Sequence, residues 1–412
     1  MRRFLIAPLT VLLVMAPMGA ASASDDGSVR CGQTLTSDTR LTRDLLNCSG
    51  SGLVIGADNV TLDLAGHVID GVNSPGSEGV AVDGHSGVRI ENGSVREFFL
   101  TGVGLRDAPG SSVENLRISR IGAGGGESDA SAGVLVKNSA RVVVKGCTVS
   151  NDVVAFQSDG IDVVFSPDAR VLDNLVVRNA WNGMFVLASP RSRIVGNRLD
   201  QNQNQGIEVN FGSDGAEVRD NRARGNVADG IVVGAVSGAK VSGNDTRGNA
   251  DTGIFLFDLV DSSVVGNDAR GNVVGIVLAG GQNGSHGNRL DGNDTSRNAQ
   301  AGLVLDTQAD DNTIIGNVSN ANQGRPGEGG GIIVIDSVGN ALVRNIANGN
   351  LDVGIGVFEN SPGSAAGNSL RRNVANGNGG HGIDVAPGSL DLGGNVAHGN
   401  TPAPDCLGVL CT

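Results

Sequence analysis

The strongest constraint on this chain is a short phrase that keeps returning. It reads glycine, aliphatic, any residue, aliphatic, with an Asn following fourteen residues after the glycine in the clearest copies. One copy runs from Gly230-Ile231-Val232-Val233 to Gly243-Asn244, and the next from Gly253-Ile254-Phe255-Leu256 to Gly266-Asn267. The opening glycines are Gly52, Gly79, Gly102, Gly133, Gly160, Gly183, Gly206, Gly230, Gly253, Gly275, Gly302, Gly331, Gly354 and Gly382, fourteen copies in all. Several consecutive spacings are 22 to 24 residues. A period in this range marks a solenoid, in which each repeat buries its apolar face on its neighbours.

The repeats are strand repeats. Ile231 and Val233 alternate with Gly230 and Val232, a period of two. β-branched residues dominate, and Gly, Asn and Asp punctuate the breaks. A second short strand precedes the Asn, as in Thr313-Ile314-Ile315 or Arg141-Val142-Val143-Val144, and a third follows it. Three short strands per turn predict an all-β fold, a single-stranded right-handed parallel β-helix of about 14 coils of roughly 23 residues. Coils stacked about 4.8 Å apart would make a rod of roughly 65 Å.

The asparagines fit stacked coils. One set includes Asn221, Asn244, Asn267, Asn288 and Asn317. A second lies five residues later, at Asn226, Asn249, Asn272, Asn293 and Asn322. Equivalent positions lie above one another, so these sets predict corner ladders. Each Asn is expected to turn the chain in the left-handed region and bond its counterpart in the next coil.

Composition sets the compartment and excludes some partners. Arg2 and Arg3, the apolar stretch Phe4 to Met18, and Ala21-Ser22-Ala23 read as a secretory signal over 1–23. An N-terminal cap is expected over 24–51, the β-helix over 52–400 and a C-terminal tail over 401–412. The protein is expected to be secreted and extracellular. Removing the signal removes two arginines and no acids, so the charge of −13 becomes −13 − 2 = −15. Such a charge repels nucleic acid and anionic membrane surface, and no later stretch is long enough for membrane insertion. Five cysteines are present. The local pairs Cys31–Cys48 and Cys406–Cys411 are the natural disulfides, and Cys147 is left as a small inward residue where later repeats have Asn. No zinc-type cluster is present.

The Gly-Ile-x-Val…Asn pattern resembles the parallel β-helix repeat of the pectin-lyase-like superfamily. The opening Cys31-Gly32…Leu41-Thr42…Asp44-Leu45…Cys48, followed by Asn59-Val60-Thr61-Leu62-Asp63-Leu64-Ala65-Gly66-His67, resembles the start of secreted bacterial β-helix repeat proteins. The resemblance covers nearly the whole mature chain and implies the fold. The superfamily includes pectate lyases, polygalacturonases, uronan epimerases and phage tailspikes, and a shared fold does not transfer an activity. Gly380-His381-Gly382 and Asp310-Asp311 resemble pieces of a polygalacturonase site, but they sit apart in the repeat. The Asp-Pro-His motif of alginate epimerases is absent. Lyases of this fold bind Ca²⁺ through clustered acids. By that resemblance Asp159 and Asp162 could contribute ligands; otherwise no cofactor or metal is expected.

Within Gly-aliphatic-x-aliphatic, the aliphatics point inward and x points out. From the Gly160 copy onward the outward column reads Asp162, Phe185, Glu208, Val232, Phe255, Val277, Val304, Ile333, Gly356 and Asp384. Asp162 and Glu208 are the candidate catalytic carboxylates. Two coils apart, they would be roughly 9.6 Å apart at the backbone, near the upper end of an inverting pair. Asp159, Trp181, Asn182, Gln205 and Asn210 are the candidate substrate-binding residues around them. Insertions at 72–78, 122–131, 151–158 and 324–330 would wall a groove on one side. The stripe Val232, Phe255, Val277, Val304 and Ile333 would seek a cover, such as a homo-oligomer contact. Two functions follow. One is binding of an extracellular polysaccharide or cell-envelope partner. The other is a lyase, hydrolase or epimerase acting in the groove.

Overall fold

The computed structural model describes residues 28–122, 131–151, 158–325 and 329–412. The signal lies outside the described residues, as do most of the insertions at 122–131 and 151–158 and residues 326–328 of the one at 324–330. Every strand pairing among the named strands is parallel, and each strand pairs with its equivalent in the next coil. The first strand of each repeat builds one long sheet. Asp159–Val164, Met184–Leu187, Ile207–Asn210, Ile231–Ser237 and Thr252–Val260 are five successive rungs. The second strands, such as Lys240–Ser242, stack into another sheet. The third segment forms paired strands in the early coils, as where Thr148–Ser150 meets Leu175–Val176, and is reduced to single bridges in later ones, such as Arg222 to Asp245 to Asp268. The main ladder continues one strand beyond the repeats at each end. Gln33–Leu35 pairs with Leu53–Ile55, and Cys406–Leu407 pairs with Ile383–Val385. Among the described residues, no helix is long and apolar enough to cross a membrane.

The core explains the phrase. Ile231, Val233 and Val241 are fully buried from the first two sides of one coil, and small residues such as Ala223, Thr246 and Ala269 fill the third. The opening glycine sits where nothing larger fits. A Cβ at Gly230 would come within 2.6 Å of the Gly253 carbonyl oxygen and 2.6 Å of the Asn249 amide nitrogen.

The Asn ladders are present, with two corrections. The left-handed turn belongs to the residue before each Asn: Gly196, Asp220, Gly243 and Gly266 have φ of 69°, 55°, 63° and 62°. The Asn side chain then points inward and works as a connector. Asn221 donates its backbone N–H and its Nδ2–H to Asn244 Oδ1 at 3.0 and 3.1 Å, and Nδ2 also donates to the Ile194 carbonyl at 2.9 Å. The second correction concerns one coil. Asn267 bonds Asn293, not Asn288, and Asn272 bonds Asn298. Asn288 belongs to a third corner, where a serine column passes to Asn: Ser262, Asn288, Asn312, Asn340 and Asn368. That coil has two Gly-Asn dipeptides five residues apart, which is also the spacing between the ladders.

Both expected disulfides form, Cys31–Cys48 and Cys406–Cys411. Cys147 is buried, its backbone N–H donates to Asn174 Oδ1 at 2.9 Å, and burial pushes its thiol up to about 11. Only the thiolate reacts. Cys147 is therefore expected to be silent toward a disulfide reagent in the folded protein and to titrate fully in denaturant. Rapid labelling under native conditions would contradict its burial.

Candidate functional site

The outward column is in register. Asp162 faces Phe185, which faces Glu208, which faces Val232, and the line continues through Phe255, Val277, Val304, Ile333 and Gly356 to Asp384. The flanking Ile161, Val163, Ile207 and Val209 are buried in the core. Period-two alternation therefore places x on the outer face throughout. In this register the carboxylate-bearing residues Asp162 and Glu208 are separated by the Phe185 rung.

The residues around them form one hydrogen-bonded row. Asp159 and Asp162, on the same strand, share a side-chain hydrogen bond. The Asn182 backbone N–H donates to Asp159 Oδ1 at 2.7 Å, and its Nδ2–H donates to Glu208 Oε2 at 3.0 Å. Asn210 Nδ2 donates to Glu208 Oε1 at 2.5 Å. Asn182 Oδ1 accepts from Asn204 Nδ2 and from the Gln205 backbone at 3.0 and 3.2 Å. Both oxygens of Glu208 are thus held by amides, Asn182 from the preceding coil and Asn210 from the same strand, which fixes the carboxyl group's orientation.

Burial shapes the charges. It pushes Asp159 up to about 7, and the neighbouring Glu208 charge adds to the effect. Glu208 is also raised, again mainly by burial, against the lowering effect of its two amide partners. The row therefore combines Asp159, which burial keeps protonated up to about pH 7, with Glu208, whose carboxyl group is pinned by two donors.

Three members were not anticipated. Asp229 extends the row by one coil. Its Oδ1 accepts from the Thr252 N–H at 3.0 Å, its side chain bonds Gln205, and burial raises its pKa. Asn204 orients Asn182. Lys137 brings a cation to the same face, because it pairs with Val164, two residues past Asp162 on the next coil. Trp181 lies half-buried at the near edge. Its backbone N–H donates to the Ser158 carbonyl at 3.2 Å, and its carbonyl accepts from Asn204 at 3.1 Å. It is the single Trp in a chain without Tyr.

Further along the same face, the apolar stripe floors a groove of about 700 Å³. The carboxyl patch and the groove are separate features of one surface. Among the described residues, no group of three or more His, Cys, Asp or Glu side chains is placed to hold a metal ion.

The family model described as "Right handed beta helix region" matches residues 212–369, and one described as "Periplasmic copper-binding protein (NosD)" matches 120–286. The chain folds as a right-handed parallel β-helix. Among solved structures, the chain is similar at low identity, and with TM-scores below 0.5, to proteins that include two epimerases and a tailspike protein. The periplasmic alginate epimerase AlgG is 14% identical over 85% of this chain and 78% of that one, with a TM-score of 0.47. The Dettilon tailspike protein is 18% identical over 72% of this chain and 62% of that one, at 0.48. The A-module of the Azotobacter vinelandii mannuronan C-5 epimerase AlgE4 is 13% identical over 94% and 91%, at 0.42. No curated protein sequence matches the chain.

Proposed function

We propose that this β-helix protein binds a polysaccharide outside the cytoplasm, with the glycan lying across the coils between Asp159 and Asp229. The row of amides and carboxyls through Asn182 and Glu208 carries this reading. It offers donors and acceptors at each rung, about 4.8 Å apart, already oriented by one another. Trp181 beside it offers a ring face on which a sugar can stack. The two disulfides support an oxidising compartment.

A second reading is catalysis. The raised Asp159 and the amide-pinned Glu208 are the kind of pair that separates a proton donor from a base or nucleophile. Copper, named in one matched family description, has no comparable support. Cys147 is buried as a thiol, and the described residues gather no three metal-binding side chains.

Retention on immobilised polysaccharides, followed together with reducing ends and absorbance of unsaturated products, tests both readings. Retention of one glycan without product supports binding. Product that disappears in Asp162→Ala and Glu208→Gln makes the same patch catalytic. No retention and no product across a broad panel would overturn the proposal.

A further inference from the structure

The groove on the C-terminal half of the main sheet has no part in the carboxyl row. Val277, Val304 and Ile333 form its floor in the outward column, three to five rungs past Glu208. Phe358 completes the floor. Its ring lies over Gly356, where any Cβ would collide with it, so glycine in the column lets the ring lie against the sheet. Phe358 is 38% exposed, which leaves a surface for a ligand.

The rim has a different character. Asp306, Asp352 and Asp384 line it, together with His381. Asp306 and Asp384 are three rungs apart, roughly 14 Å along the axis. His381 is turned away in part, because Nδ1 lies 2.7 Å from the Pro404 carbonyl oxygen and donates to it. Burial in the groove raises the pKa of Asp384, and His381 offsets this. The volume falls within the usual range for ligand sites. An apolar floor under spaced carboxylates is complementary to one kind of guest: ammonium groups separated by short apolar spacers.

We propose that this groove binds a linear multivalent ammonium ligand, its apolar spacers on Val304, Ile333 and Phe358 and its ammonium groups at Asp306 and Asp384. Carboxylates at the rim attract the charges, and the Phe358 face adds a cation–π contact. Free aliphatic polyamines and amino-sugar oligomers both present this chemistry. The site is independent of the carboxyl row, so the two proposals can fail separately.

Calorimetry on the full chain at low salt, with spermine and with a glucosamine tetramer, tests the proposal. The fully N-acetylated tetramer serves as the neutral probe. Saturable binding of one or both amines is expected, and which of them binds identifies the source. D306N/D384N should weaken it at least tenfold. D83N/D107N, which removes two exposed acids elsewhere, should leave it unchanged. V304K, which places an ammonium in the groove itself, should also abolish binding, and it provides a second variant if the double mutant folds poorly. Three results would overturn the proposal: no binding of either amine, equal binding of the acetylated tetramer, or equal weakening by D83N/D107N. The last would mean nonspecific attraction to an acidic protein.

Discussion

Asn244→Ala should lower the unfolding free energy by about 3 kcal/mol, because it orphans buried partners in the preceding coil. Asn244 Oδ1 accepts the backbone N–H and the Nδ2–H of Asn221, and its own Nδ2 donates to the Val218 carbonyl at 2.9 Å. Asn221 keeps a bond to Ile194 through Nδ2, but its backbone N–H has no replacement acceptor in that ladder. Asn244→Asp should be worse. It keeps the acceptor but replaces the donor to Val218 with a buried charge. Denaturant melts of the two variants check this. Wild-type stability in either would mean that the ladder contributes little. A substitution at half-buried Asn376, whose Oδ1 receives the His398 N–H outside the core, should cost much less.

The second large effect is a dependence on pH with an unusual sign. The unfolded chain ionises Asp159 above its ordinary value of 3.8, whereas the folded chain holds the proton to about 7. Between those values the folded state binds more protons, so raising the pH favours unfolding. Stability should fall from about pH 4 to pH 7 and then level, by an amount on the order of 4 kcal/mol. Glu208 and Asp229 are raised and act in the same direction. Asp258 and Asp336 are lowered by backbone hydrogen bonds and act oppositely, at pH below the ordinary carboxylate range. Asp159→Asn keeps an acceptor for the Asn182 N–H and a donor toward Asp162. It should raise the melting temperature at pH 8 and change little at pH 5. Equal shifts at both values would show that Asp159 is already ionised at neutral pH.

Much of this was legible in the residues. Alternation in Gly-aliphatic-x-aliphatic set which side chains face out, and stacking carried that register from Asp162 to Asp384 without a slip. The ladders were legible as ladders because a buried Asn can serve the coil before it and the coil after it. What misled was local duplication. The coil around Asn288 and Asn293 repeats Gly-Asn at the ladder spacing, so only the pairing partners decide which Asn joins which corner. The turn itself belongs to the preceding Gly, Asp or Arg. Gly and Asp tolerate a left-handed backbone and Arg does not favour it, so at the Arg positions the turn leaves no mark in the sequence.

The site was legible in its x column and less so beside it. Asp229 occupies the same place as Asp159, Asn182 and Gln205, one residue before the repeat glycine. Reading that second column would have found it. Lys137 was hidden by the insertion between the Gly133 and Gly160 copies, which puts 27 residues between side chains that the sheet holds on adjacent rungs. The outer strands escaped notice because Gln33–Leu35 and Cys406–Leu407 lack the repeated phrase while still joining the ladder.

The central claim, that a glycan lies on the row through Asn182 and Glu208, has a built-in reporter. Trp181 is the only Trp, Tyr is absent, and its neighbour Asn182 is the hub of the row. Titration of the retained glycan should produce a saturable change in Trp181 emission and shield it from acrylamide. Both effects should be lost in Asn182→Ala and in Glu208→Gln. A glycan that binds the protein while leaving Trp181 emission and quenching unchanged would place the binding site elsewhere and contradict the account.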